Sequence, residues 1–493
     1  MENNRKAGVL LGVASLPGRF GIGDFGPSAY RFLEDLHEAG FAIWQILPLT
    51  PLGYGHSPYQ PYSSFAMDEL YADLDALYEE GLLKEKAPSF QPDGEKIAYE
   101  EIRPFKQACL RKAFFAEMRK DPDCLNRFAS AHPWAKDYAV FDSFHQKRQC
   151  AWMDWPKAEK DWILTRPALS QAKQKEASFR LYVQYKLYQQ WDKLHEYAKK
   201  LGIQIVGDLP FYVGIDSCDV WANQGEFLLD PETKAPTFIA GVPPDYFSAT
   251  GQRWGNPIYD WDRMQKEKFS FIIDRILRNA DIYDILRLDH FRAFDTYWKI
   301  PSSCPTAVEG EWIEAPGYAL FDELFARKPG LPIIAEDLGD LRPEVLTLRD
   351  HYHFPGMNVI QFTFHDFELE GKGNWDEPNT VVYLGTHDND TTLSFFYSQP
   401  EEEQARWVYA LQRKGIAEGS ICERLITYAL EKKAALSILS MQDILELDAE
   451  ARTNVPGTVD NRNWTWKMSS LSPFEERLPY LSSLLEKSGR KPR

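Results

Sequence analysis

Four short clusters of charged residues each close an apolar run: Asp208 in "GDLP", Arg287, Asp289 and His290 in "RLDH", Glu336 and Asp337 in "AEDLG", and His387, Asp388 and Asp390 in "THDND". If these runs are neighbouring strands, their ends bring the carboxylates over one mouth. Carboxylates held close together repel, so their pKa values separate, and one stays an anion while another keeps a proton. Glycoside chemistry requires such a pair: a carboxylate to attack or stabilise the anomeric carbon, and a carboxylic acid to protonate the leaving oxygen. Residues two apart on a strand share a face, so Arg287 and Asp289 point the same way. A guanidinium that close is expected to lower the Asp289 pKa by roughly 1–3 units and keep it ionised as a nucleophile. Glu336, one strand further on, is then the candidate acid/base. For a nucleophile and acid/base pair the carboxyl groups are expected about 5–5.5 Å apart.

The same residue types have other uses. Buried ion pairs and helix N-caps also place charge at strand ends. Asp, Glu and His together can hold a hard cation or zinc. Against a metal, the chain has no H-E-x-x-H, no H-x-H at the end of its first apolar run, and only two histidines in the clusters. A nucleophilic serine elbow is excluded, since no G-x-S-x-G occurs. Residues 21–26, "GIGDFG", spell a literal G-x-G-x-x-G. A dinucleotide fingerprint runs almost directly from strand to first glycine and has an acid at the end of the next strand. Here Pro17 and Phe20 intervene, and the next apolar run, "FAIWQILPLTPLGYG", ends without an acid. The stretch therefore reads as a glycine-rich strand-to-helix loop.

The elements that must position these residues follow from the apolar runs. There are eight, at 8–15, 42–49, 203–210, 284–291, 331–338, 357–364, 381–388 and 436–443, mostly separated by helical patterns. Continuous apolar strands alternating with helices predict a parallel sheet covered on both faces, and eight units predict a (β/α)8 TIM barrel with inserted subdomains. Such barrels place their active sites at the C-terminal ends of the strands, where the charged clusters lie. The expected organisation is barrel strands 1 and 2 with their loops in 1–66, a largely helical insertion between strands 2 and 3 in 67–180, and the rest of the barrel in 181–493, with an extended active-site loop at about 211–261. Phe179, Val183, Leu187, Trp191, Leu194 and Ala198 recur at helical spacing, a packing stripe.

Composition bounds the function classes. The chain has 493 residues and a formal net charge of −17, which disfavours nucleic acid and anionic membranes as partners. Aromatic residues make up 14%, a surplus that suits the apolar faces of sugar rings and a large core equally. Six scattered cysteines without a C-x-x-C pair suit reduced thiols in a cytoplasm. The basic and apolar N-terminus loosely resembles a signal peptide, but its short run reads better as a buried strand. No apolar segment approaches the ~20 residues that span a bilayer.

With these residues assembled, the sequence resembles the 4-α-glucanotransferases called amylomaltases or disproportionating enzymes, a branch of the α-amylase clan. The resemblance rests on "SLPGRFGIGDFG" (15–26), "GYGHSPYQPYSSFA" (53–66), "GDLPFYV" (207–213), "GVPPDYFSATGQRWGNPIYDW" (241–261), "LRLDHFRAF" (286–294), "AEDLG" (335–339), "GTHDNDT" (385–391) and "NWTW" (463–466). It implies Asp289 as nucleophile, Glu336 as general acid/base, and Asp388 as a third carboxylate that binds and distorts the sugar. It implies sugar-holding roles for Asp208, Arg287, His290 and His387, an aromatic platform at Tyr59 with Ser57 beside it, and an acceptor contact at Trp254. Asn463 matches a sugar-contacting Asn, although "DNRNW" also offers Asn461. Tyr246 and Phe247, in the long loop, are expected to cover the sugar together with Trp254. The implied reaction transfers α-1,4-glucan segments between maltooligosaccharides, amylose-type glucans and glucose, without metal or organic cofactor. A hydrolase or branching enzyme of the same clan is the rival reading, and a non-catalytic glucan-binding protein or a metal-dependent barrel enzyme are rivals of other classes. Oligomeric state is left open.

Overall fold

In the structure, a computed structural model describing residues 5–92, 96–244, 248–373 and 375–492, all eight apolar runs become strands of one parallel sheet. The described residues form twelve strands: β1 (Lys6–Leu10), β2 (Ile43–Gln45), β3 (Gln204–Leu209), β4 (Phe238–Val242), β5 (Gln252–Pro257), β6 (Ile285–Leu288), β7 (Thr296–Pro301), β8 (Glu311–Glu314), β9 (Ile333–Ala335), β10 (Gly356–Val359), β11 (Thr380–Tyr383) and β12 (Leu436–Ser440). The parallel sheet runs β10-β11-β12-β1-β2-β3-β6-β9. Its two ends meet where Ala335 N at the end of β9 donates to Pro355 O, just before β10, at 3.0 Å. The fold is a (β/α)8 barrel.

The barrel interior follows from period-two alternation. Its lower layers are Leu10, Ile43, Val206, Ile334, Met357, Val359, Val381, Tyr383 and Ile438, all buried. Two residues beyond Val206, the same face of β3 carries Asp208, and two beyond Ile285 the same face of β6 carries Arg287. These two are register partners across β3 and β6. The interior therefore changes from hydrocarbon to charge toward the strands' C-terminal ends. Gln45 and Tyr383 mark the transition, joined by a 2.8 Å hydrogen bond.

The glycine-rich stretch forms the turn into the helix Pro27–Ala39, with Gly26 as its N-cap and Gly21 in the left-handed region at φ 80°. Asp24 fills the turn: its Oδ1 accepts from Gly26 N at 3.1 Å, and its Oδ2 accepts from the buried Lys106 Nζ at 2.8 Å. Lys106 also donates to the carbonyls of Leu70 and Ala72 at 2.7 and 2.8 Å. The Asp24 carboxylate thus takes the N-cap N–H that the nucleotide reading would offer to a phosphate.

Between β2 and β3 the chain is mainly helical, including Tyr99–Lys120, Cys124–Ala131, Trp134–Arg148 and Gln171–Lys200. The last of these runs without a break through residue 180 and delivers the chain into β3, burying Phe179, Val183, Leu187, Trp191, Leu194 and Ala198 along its length. The region 211–261 is less of a loop than its glycines and prolines suggest. It contains the helix Cys218–Ala222 and the antiparallel pair β4–β5, which joins β7 and β8 in a second sheet of order β5-β4-β7-β8. Period-two signals are weak in such short strands, so only the pairing reveals them. Tyr246 and Phe247, beyond the end of β4, lie outside the described residues. Among the described residues no helix is long and apolar enough to cross a membrane.

Candidate active site

The strand ends carry the charged residues because each strand stops where its apolar pattern stops. Asp289 directly follows β6, Glu336 directly follows β9, and His387 and Asp388 follow β11 by one short turn. Arg287 organises the floor. It is 4% exposed, and its Nη1 donates to both oxygens of Asp208 at 2.8 and 2.7 Å and to Asp289 Oδ1 at 3.0 Å. Tyr59 OH donates to Asp208 Oδ2 at 2.8 Å and lies 3.4 Å from His387 Nδ1. The Tyr59 and His387 rings stack at 4.9 Å and 15°, and Trp464 flanks Tyr59 at 5.6 Å.

The three carboxylates sit in different electrostatic states. Burial pushes the Asp289 carboxyl up; Arg287 opposes this and Asp208 and Asp388 add to it, leaving it at about 6. Arg287 lowers Asp289 as expected, but burial outweighs it, so the net shift is upward instead of downward. The guanidinium is shared with Asp208, whose charge both consumes the cation's field and repels Asp289. Burial also raises Glu336, against Arg287 and with Asp289 and Asp337, to about 8. Of these two interacting acids, Glu336 holds its proton to higher pH than Asp289. Burial would raise Asp388 as well, but His387, Asn454 and Arg287 prevail and hold it at about 2. His387 Nε2 lies 3.4 Å from Asp388 Oδ2, and Asn454 Nδ2 donates to Asp388 Oδ1 at 2.7 Å. Burial works against the charged His387 imidazole, yet Asp388 raises its pKa overall.

His290 links two of these groups. It is a non-glycine residue in the left-handed region, φ 49° and ψ 50°, a conformation that costs of order 1–3 kcal/mol. That turn points its backbone N–H at Glu336 Oε2, 2.8 Å away, while Leu338 N donates to Oε1 at 3.3 Å. The imidazole meets Trp254 edge-on, at 5.0 Å and 82°. Burial and Arg292 hold it down to about 4, so it is neutral at neutral pH.

Above this floor opens a cleft of about 430 Å³. Ser57, Tyr59, Trp254, Arg287, Asp289, His290, Glu336 and Asp388 all line it, so eight of the residues singled out in the sequence share one cavity. Asp208 and His387 stand behind the wall, against Arg287 and Tyr59. Asn463 is placed differently. It is 3% exposed, its Nδ2 donates to Thr458 O and Oγ1 at 3.2 and 3.1 Å, and its Oδ1 accepts from Val455 N at 3.1 Å. It braces the turn that brings Asn454, Pro456 and Gly457 to the cleft.

Sequence reasoning missed Asn454, Phe362, Tyr212 and Trp464, which also line the cavity. Trp464 stands within the "NWTW" stretch and could have been found there. Phe362 is 56% exposed, an unusual position for a large aromatic near a charged floor. Asn454 carries no charge or periodicity; only its contact with Asp388, 66 residues away, reveals it.

Comparison with known proteins points in one direction. The family model described as 4-alpha-glucanotransferase matches residues 11–472. The chain is 41% identical over 493 residues to the 4-alpha-glucanotransferase of Aquifex aeolicus (strain VF5), covering 99% of each. It is 41% identical over 499 residues to that of Thermus thermophilus, covering 96% of this chain and 97% of the relative. Amylomaltase from Streptococcus agalactiae, solved in complex with acarbose, superposes with a TM-score of 0.92 at 35% identity, over 99% of this chain and 100% of that one.

Proposed function

We propose a mechanism on one premise: this chain belongs to the 4-alpha-glucanotransferase family. It transfers α-1,4-glucan segments from a maltooligosaccharide or amylose-type donor to another glucan or to glucose. The observation that carries the residue assignment is that Asp289, Glu336 and Asp388 surround one cleft, with Glu336 protonated to about pH 8 and Asp388 ionised down to about pH 2.

In the first step Glu336 gives its proton to the glycosidic oxygen as Asp289 Oδ attacks C1. The C1–O4 bond breaks, the shortened glucan leaves with a 4-hydroxyl, and the donor is held as a glucosyl ester. The left-handed His290 N–H, bonded to Glu336, then stabilises the new carboxylate. In the second step that carboxylate takes the proton of an acceptor 4-hydroxyl, the acceptor oxygen attacks C1, and Asp289 leaves. Two inversions give net retention. Asp388, an anion throughout, accepts hydrogen bonds from sugar hydroxyls and opposes the positive charge that grows at C1. Arg287 and Asp208 hold Asp289 in line. None of these steps uses a metal or organic cofactor. The cytoplasm is the proposed location, supported by six cysteines without a disulfide among the described residues.

Incubation with maltotriose alone tests the reading. A ladder of longer glucans together with glucose is the expected result, with retained α configuration by NMR. Glucose and maltose without longer products would instead favour the hydrolase reading.

A further inference from the structure

The Asp388 carboxylate is bracketed by Asn454 Nδ2 at 2.7 Å and His387 Nε2 at 3.4 Å, yet Asp388 and Asn454 stand on different loops, one after β11 and one after β12. A bond between two loop side chains keeps its aim only if both backbones keep theirs. Arg452 supplies that tie. Its Nη2 donates to Asp388 O at 2.8 Å, and its Nε donates to Asn454 O at 2.8 Å. Nε and Nη2 form one edge of the planar guanidinium, so a single fork takes both carbonyls. Neither of these bonds goes to a carboxylate. Together with the Asn454 side-chain bond they close a ring, in which Asp388 is held at its carbonyl and at its carboxylate.

The barrel itself delivers the arginine. β12 runs directly into the short helix Met441–Ile444, and the buried Gln442 of that helix grips the chain on either side of Arg452. Its Nε2 donates to Ala451 O at 3.2 Å and to Thr453 Oγ1 at 3.0 Å. Thr453 O in turn accepts from Trp464 N at 2.7 Å, which closes the loop 453–464 at its base. Asp388 and Asn454 both line the catalytic cleft, whereas Arg452 stands behind them and is not among the lining residues. Its place is to hold the groups that face the sugar. Lysine would not serve there, because an ammonium is a point charge without a planar fork to fix the spacing of two carbonyls.

Resting on the transfer reading above, we propose that Arg452 is a positioning residue for the reaction. Through Asp388 O and Asn454 O it locks the loop after β11 to the loop after β12, and so sets the aim of the Asp388 carboxylate at the sugar without touching substrate.

The test compares Arg452→Lys, which keeps the charge and loses the fork, with Arg452→Gln, which loses the charge and keeps one donor group. Kinetics with maltotriose are read per folded molecule, the folded fraction being taken from circular dichroism. Each variant should lower kcat roughly tenfold to a hundredfold, the cost of misplacing a working group by about 1 Å. KM should stay within about threefold of wild type, since the loss is felt where charge grows at C1. The upper pH limb should not move, because Arg452 does not bond Glu336. Arg452→Gln combined with Asn454→Ala should lose no more than about threefold beyond the worse single variant, because both act on Asp388, whereas independent packing losses would multiply. If Arg452→Lys does not fold, Arg452→Gln and its pairing with Asn454→Ala decide. Wild-type kcat in Arg452→Lys, a loss confined to KM, or multiplied losses in the pair would overturn the proposal. A wild-type chain that releases glucose but builds no longer glucan would sink the transfer reading instead, and the same variants, read on glucose release, would still decide the role of Arg452.

Discussion

Two groups of enclosed acids stand on this barrel, and only one of them faces open space. Asp24, Asp73 and Asp75 gather at the turn after β1, while Asp289, Glu336 and Asp388 gather at the ends of β6, β9 and β11. A raised pKa does not separate Asp289 and Glu336 from Asp24 and Asp73. Burial raises Asp24 against Lys106, and burial together with Asp24 raises Asp73 to about 7, a displacement as large as that of a catalytic acid. The difference lies in where the lone pairs go. Asp24 is spent on Gly26 N and Lys106, Asp73 Oδ1 accepts from Asp75 N at 2.9 Å, and Asp75 is clamped by Arg19 at 2.6 and 2.7 Å. Asp289 and Glu336 each keep part of their carboxyl on a cleft of about 430 Å³. A perturbed carboxyl group becomes a functional candidate when it also has room for a reacting partner.

The largest effect that should divide the two groups is on turnover. Asp289→Asn and Glu336→Gln are expected to lower kcat by about 10³-fold or more, since each removes a covalent or proton-transfer role with little change of shape. Their stability should move the other way. Glu336 has a folded pKa above its unfolded value, so the folded state binds more protons and wild-type stability falls as pH rises from about 4 toward about 8. Glu336→Gln removes that loss, so its unfolding temperature should exceed that of wild type increasingly over the same range. A Glu336→Gln enzyme with a tenth of wild-type kcat would break the assignment.

At the turn after β1 the expected pattern reverses. Lys106→Met leaves Asp24 and two carbonyls without their buried donor, and removing one partner of such a pair costs about 3–5 kcal/mol. The unfolding transition should drop markedly while kcat of the folded fraction stays within a few-fold of wild type. A Lys106→Met protein that kept its stability but lost turnover would erase the distinction drawn here.

The pH profile sharpens the contrast within the cleft. Turnover needs Asp289 ionised and Glu336 protonated, so kcat/KM should fall about tenfold per unit below about pH 6 and again above about pH 8. Asn454→Ala should follow in size. It deletes the 2.7 Å bond to Asp388 from a charged acceptor, an interaction of about 1.5–3 kcal/mol, so kcat/KM should fall roughly tenfold to a hundredfold. Its upper pH limb should not move, because Glu336 is not its partner.

How far these features could be read from the chain depends on the kind of signal. Eight buried parallel strands leave unbroken apolar runs, so the barrel and the charged residues at its rim were legible from spacing alone. The net direction of the Asp289 shift was not, because it needs the burial of the carboxyl and then the register that sets Asp208 against Arg287. Nor was β4–β5, whose glycines and prolines read as loop while pairing decides otherwise. Asn463 shows the limit of motif matching. A residue inside a recognised stretch can hold the loop in place, while Asn454, nine residues earlier and outside it, meets Asp388.

The smallest expected effect concerns water. A glucosyl ester can be taken by water, at about 55 M, or by a sugar hydroxyl at millimolar levels; transfer prevails only when the acceptor is oriented and water excluded. Trp254 is placed for that on β5, with its indole Nε1 bonded to Gln252 Oε1 at 3.1 Å, its ring edge-on to His290, and Tyr212 at 6.3 Å. It touches the residue that holds Glu336 but does not touch Glu336, so its loss should spare the chemistry of donor cleavage. Trp254→Ala should raise the ratio of glucan hydrolysed to glucan transferred several-fold, with donor cleavage still measurable. Trp254→Phe keeps a ring beside His290 and gives up only the bond to Gln252, so its ratio should lie between those of Trp254→Ala and wild type. Product analysis from maltotriose reads both quantities at once. An unchanged ratio in Trp254→Ala would mean that water is excluded elsewhere, and a loss of cleavage equal to that of Glu336→Gln would mean that Trp254 acts through His290 on the acid itself.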